Sequence, residues 1–164
     1  MIGKMKPRFL GLISALIMTM SVGLLAASAQ TAKASGANTL AVQQPLYGDY
    51  KGVRVDMSTE DVRAKLGKPT MAADDQDYYI VSPTETVQIA YDTRHKAKAI
   101  SIDFIDGVGA PDYKTVVGTE LQVNPDGSMY KLVFYEALGF WVSYNRSVGG
   151  VPIVTITLQR IKSW

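Results

Sequence analysis

The sequence predicts an α+β fold: about six antiparallel strands from two degenerate helix-plus-three-strand units, with short helices on one face. Three observations predict it. Glu60-Asp61-Val62-Arg63-Ala64-Lys65-Leu66-Gly67 and Pro111-Asp112-Tyr113-Lys114-Thr115-Val116-Val117-Gly118 are alike in form. Each is followed by three runs of strand character, ending near Phe104 and near Leu158. Within most of those runs apolar and polar side chains alternate, the period of a sheet with one buried face.

Before the first unit, residues 1–29 read as a signal peptide. Lys4, Lys6 and Arg8 form a positive start, no side chain from Phe9 to Ala29 is charged, and Ala27-Ser28-Ala29 is a small-x-small cleavage site. Ala32-Lys33-Ala34 is a second candidate for cleavage. The alternative is a retained anchor, since an apolar run of this length could span a bilayer. The expected location is periplasmic or secreted, with no stable membrane anchor once the signal is removed. Residues 30–49, rich in Ala, Ser, Thr, Gln and Gly, read as a flexible leader, and 50–164 as a single domain with units at about 52–106 and 110–164.

The first unit opens with Ser58, placed to cap a helix, and Asp61 stands three residues later in a capping-box position. Val62 and Leu66 share the core-facing side, Gly67 suits a left-handed end, and Pro69 prevents continuation. Three strands follow: Asp77 to Val81, Thr86 to Tyr91, and Lys98 to Ile105. In the last, Ile100, Ile102 and Phe104 point inward. Ser82-Pro83-Thr84 and Thr93-Arg94-His95-Lys96 are the turns between them.

In the second unit, Asp112 to Val117 takes the place of the helix, although its β-branched residues favour that conformation weakly. Asn124-Pro125-Asp126-Gly127 is a turn. Met129 to Tyr135, Phe140 to Asn145 and Val151 to Arg160 are the strands, separated by Leu138-Gly139 and Val148-Gly149-Gly150. Alternation puts Trp141, Ser143 and Asn145 on one open face with Thr155, Thr157 and Gln159, and Tyr135 is expected to join them. This set is the expected binding surface.

Composition excludes several functions. The chain has 17 basic and 15 acidic residues, net +2, but three of the basic ones lie in residues 1–29, which leaves the remainder at −1. With no basic stripe, nucleic acid is not an expected partner. There is no cysteine, so the core must hold without disulfides.

Val55-Asp56-Met57-Ser58, Val62, Leu66-Gly67 and Pro69 together resemble the opening motif of the SmpA/OmlA (BamE-like) family. That family includes the small lipoprotein of the outer-membrane β-barrel assembly machinery. The tandem arrangement is similar to the β-lactamase-inhibitor-protein fold, in which two helix-plus-sheet units form one concave sheet. The resemblance implies a non-catalytic binding or assembly module. Two departures from the pattern are Asp56, where the family often has glycine, and the absence of a lipid-bearing cysteine.

Chemistry-bearing residues are few. His95, the only histidine, could pair with Asp92 as a base, but no Gly-x-Ser-x-Gly elbow is present and a solvated turn is the expected setting. Asp74-Asp75-Gln76-Asp77 lacks EF-hand spacing and reads as a solvated acidic loop. Zinc is disfavoured without cysteine or a second histidine. Asp103 and Asp106 form no arguable carboxylate pair without a cleft. No catalytic residue, cofactor or metal is expected. The sequence points to an exported module of the cell envelope that binds another envelope or secreted protein through the open face of its sheet. A secreted enzyme inhibitor is one form of this reading. A small hydrolase or metal-dependent enzyme using Asp92, His95 and the Asp74–Asp77 loop is the alternative, and self-association through an edge strand is a third.

Overall fold

The computed structural model describes residues 43–161. The expected signal peptide and cleavage sites, and the leader before residue 43, lie outside the described residues. In chain order the elements are α1 (Thr59–Leu66), β1 (Met71–Ala72), β2 (Gln76–Ser82), β3 (Glu85–Tyr91), β4 (Ala97–Ile105), α2 (Tyr113–Val117), β5 (Gln122–Val123), β6 (Met129–Tyr135), a 3-10 turn (Glu136–Leu138), β7 (Phe140–Arg146) and β8 (Ile153–Arg160). Among the described residues all strands join one antiparallel sheet of eight, in the order β1-β2-β3-β4-β8-β7-β6-β5. The sheet is therefore wider than the expected six strands. The additional two, β1 and β5, are two-residue edge strands, too short for alternation to reveal.

Each half of the chain runs helix, then four strands, and the last strands of the halves pair at the centre of the sheet. Their register sets Ile100 opposite Leu158, Ile102 opposite Ile156 and Phe104 opposite Val154. Five of these six side chains are aliphatic and all are buried. Complete burial of such a side chain contributes about 1.5–3 kcal/mol, so this seam is a principal source of stability.

Both helices form because their ends are satisfied locally. The Ser58 hydroxyl accepts from the Asp61 backbone N–H at 3.2 Å and donates to the Asp61 carboxylate at 2.8 Å, while Gly67 (φ 82°) closes α1. In α2 the Asp112 carboxylate accepts from the Lys114 N–H at 2.8 Å, and Gly118 adopts the left-handed conformation. The β-branched run ends after little more than one turn. Val62 from α1, and Val116 and Val117 from α2, enter the same core as the inward side chains of the sheet.

The segment before α1 also packs on this core. Tyr47 is half-buried against it, and Tyr50 and Val53 are buried at either end of a tight turn with positive φ at Lys51 and Gly52. The Tyr50 hydroxyl donates to Glu85 at 2.6 Å. Ordered packing thus reaches into the stretch expected to be a flexible leader. A single aromatic ring with apolar surface to cover outweighs the polar composition around it.

Candidate functional site

Strand register divides the sheet into two faces. Inward lie Val87, Ile89 and Tyr91 of β3, the seam side chains, and Phe140, Val142 and Tyr144 of β7, all buried. Outward lie Trp141, Ser143 and Asn145 of β7, opposite Gln159, Thr157 and Thr155 of β8. Five of the six expected binding residues therefore share one face, with Gln159 beside them.

Tyr135 does not. It stands opposite Phe140, its ring centroid 5.5 Å from that of Phe140, and is only 4% exposed. The hairpin between β6 and β7 decides this, because placing Tyr135 against Phe140 puts Phe134 against Trp141. The outward aromatics of β6 are Tyr130 and Phe134, with Leu132 between them, and Phe134 is 53% exposed. Sequence reading missed these three as surface residues. Counting back from Trp141 through the Glu136–Gly139 connection would have found them. Ser143 lies on the expected face but is 7% exposed, since its short side chain sits among Leu132, Thr157 and their neighbours. It can offer little contact.

The outward face has a polar centre and apolar flanks. At the centre, Ser101 and Thr157 approach within 3.3 Å, and the Thr155 hydroxyl donates to Asp103 at 2.6 Å. One flank carries Tyr130, Leu132, Phe134 and Trp141. The other carries Tyr78 and Ile80 of β2, with Met71 of β1 opposite Tyr78.

No family model matches the chain, and no curated protein or solved structure matches it.

The residues of the catalytic alternative are placed otherwise. Asp92 Oδ1 accepts from the backbone N–H groups of Arg94 and Lys96 at 2.9 Å, and Oδ2 accepts from Arg160 at 2.8 Å and Arg94 at 3.2 Å. The Lys96 N–H and then the Arg160 guanidinium hold this carboxyl well below the usual carboxylate range. His95 is exposed in a left-handed turn position (φ 56°), and its carbonyl accepts from the Thr59 N–H and hydroxyl. The histidine thus steadies the start of α1 through its backbone. It borders an open hollow of about 540 Å³ with Asp74, Asp75 and Lys98. Among the described residues no group of three His, Asp or Glu side chains is placed to hold a metal ion.

Asp77 is the clearest departure from a solvated acidic loop. Asp74 and Asp75 are exposed, but Asp77 is 0% exposed and belongs to the inward face of β2. It receives Arg63 Nε at 2.9 Å, Arg63 Nη2 at 2.8 Å, and the hydroxyls of Tyr91 at 2.9 Å and Tyr79 at 3.3 Å. Burial pushes its pKa up, but the donors from Arg63, Tyr91 and Tyr79 together outweigh burial and hold it below the ordinary value. Burial, followed by the Asp77 charge and hydrogen bond, pushes the Tyr79 hydroxyl up to about 12. This cluster ties α1 to the sheet.

Proposed function

We propose that the chain is an exported, non-catalytic binding or assembly module of the cell envelope that acts through the outward face of its sheet on another envelope or secreted protein. The observation that carries this reading is the outward aromatic flank, where Phe134 and Trp141 stand side by side on neighbouring strands with Tyr130 further along the same face of β6. Aromatic anchors bordered by hydroxyl and amide groups are the usual make-up of protein contact surfaces. The two halves read as copies of one helix-plus-strand unit, fused at β4 and β8.

The SmpA/OmlA resemblance supports the same reading at one residue in particular. Asp56, in the position where the family often has glycine, has a φ of 67°, a conformation that glycine adopts freely and aspartate tolerates. Its carboxylate in turn accepts from Arg160 at 2.6 Å. The departure from the motif thus occupies the backbone conformation that the motif's glycine suits. Inhibition of a secreted enzyme is one form that such binding could take.

The test is retention of an envelope protein on the immobilised chain, compared with the Phe134→Ala/Trp141→Ala double variant. The reading expects one protein to be retained by the parent and lost by the variant while both keep the same circular dichroism. Equal retention by both would overturn it. For location, deletion of residues 1–29 should leave the protein in the cytoplasmic fraction.

A further inference from the structure

We propose that the partner of the outward face is a protein surface that brings one lysine or arginine side chain to Asp103, within a contact that is otherwise poor in charge, polar at its centre and apolar at its flanks. This rests on the outward-face reading above and adds the partner's chemistry to it.

The first observation is charge. Apart from Lys98, in the bulge at the start of β4, Asp103 is the only charged side chain among the outward positions of the six long strands. Charged residues make up 20% of the chain, so this neutrality does not follow from composition. They are gathered instead on the helices, the loops and the inward positions of strands. A face depleted of charge and enriched in aromatics has the make-up of an interface core rather than of ordinary wetted surface.

The second observation is Asp103 itself. It stands on β4, one of the two central strands, between Thr86 and Thr155. Oδ1 accepts from Thr155 at 2.6 Å and the residue is half-buried. Among the described residues no cation pairs with it, and unlike the other unpaired carboxylates it stands at an outward position of a central strand. An ionised carboxylate accepts at about four sites, so most of its capacity is open. A surface that covered this face without a cation would strip water from an unpaired charge. A surface with one cation at this point gains a desolvated pair and rejects competitors that lack it.

Other occupants fit less well. A second copy of this chain would bring only one outward cation, Lys98 at the opposite end of β4, and its dimerisation is separated from partner binding by the measurements below. A neutral glycan could stack on Phe134 and Trp141, but it would leave the charge of Asp103 without a counterpart.

The test is selection of a phage-displayed library of random peptide loops on the full immobilised chain. Enriched clones are then measured against the parent, Asp103→Asn and Phe134→Ala. The expected result is a lysine or arginine common to the clones, with affinity lowered about tenfold or more by D103N and most of the salt dependence removed. D103N keeps the Thr155 hydrogen bond, and unchanged circular dichroism separates lost recognition from lost fold. Clones that lack a basic residue, or that respond to F134A but not to D103N, overturn the proposal and leave the outward-face reading standing. Clones indifferent to both substitutions overturn that reading as well. Failure to enrich any clone, dimerisation of the parent that F134A abolishes, or salt-independent binding to a neutral glycan matrix would each count against the proposal.

Discussion

Arg63 and Asp77 set the terms at the scale of single residues. A buried carboxylate is tolerated only where donors replace the water it has lost, and here a guanidinium and two phenols do so. Removing the cation by Arg63→Ala leaves Asp77 with tyrosine donors alone. The expected cost is about 3 kcal/mol by urea denaturation, because the remaining charge is uncompensated. The folded pKa of Asp77 lies below its unfolded value. Its contribution is therefore complete above the unfolded carboxylate range and is lost as pH falls through the folded value. In Arg63→Ala that folded value rises, so the acid-unfolding midpoint should move to higher pH. Asp56 poses a different residue-scale question, since it occupies a left-handed conformation and also pairs with Arg160. Asp56→Ala should cost about 1–2 kcal/mol through backbone strain and the lost pair. Asp56→Gly should cost clearly less, because glycine relieves the strain.

At the scale of elements, the helices depend on their caps and the hairpins on their register. The eight residues of α1 are too few to persist without packing, so its first-turn hydrogen bonds matter in proportion. Ser58→Ala should cost about 1 kcal/mol in chemical denaturation, with little change in the final fold. The β6–β7 hairpin gives a sharper contrast. Tyr135→Ala empties a core position and should cost about 3–5 kcal/mol. Trp141→Ala, one position beyond Phe140 on the other face, should keep the chain folded with a much smaller loss. Thermal unfolding of the pair measures this face assignment directly. Equal losses would mean that the register is wrong.

For the whole molecule, the decisive feature is the β4–β8 seam. Because the halves share Ile100, Ile102, Ile156 and Leu158 across it, neither can lose its core without exposing the other. Arg160 of the second half reinforces the link by pairing with Asp56 and Asp92 of the first. Unfolding should therefore be a single transition, with tryptophan fluorescence, which reports on the second half, coinciding with far-ultraviolet circular dichroism. Two separated transitions would show halves that fold independently. Ile102→Asp, which puts an unpaired charge in the seam, should abolish the transition in both signals together.

Much of this was legible from residues close together in the chain. Ser58 and Gly67 announced the first helix, Gly118 marked the end of the weaker second one, and the alternation of Ile100, Ile102 and Phe104 separated an inward from an outward face. These signals act over a few residues, so local order is enough to carry them. The two-residue edges β1 and β5 have no pattern of their own and exist only because β2 and β6 offer unpaired backbone. Asp77 looked like a solvated neighbour of Asp74 and Asp75 because its partner Arg63 comes from a different element. Tyr135 and Phe134 exchanged their expected environments because a hairpin's register, not the composition of one strand, decides which of two adjacent aromatics meets water. Caps, turns and period-two alternation are thus properties of the sequence itself. Strand order, the face each aromatic presents and the isolation of Asp103 belong to the tertiary structure, because they depend on which distant side chains are brought opposite one another.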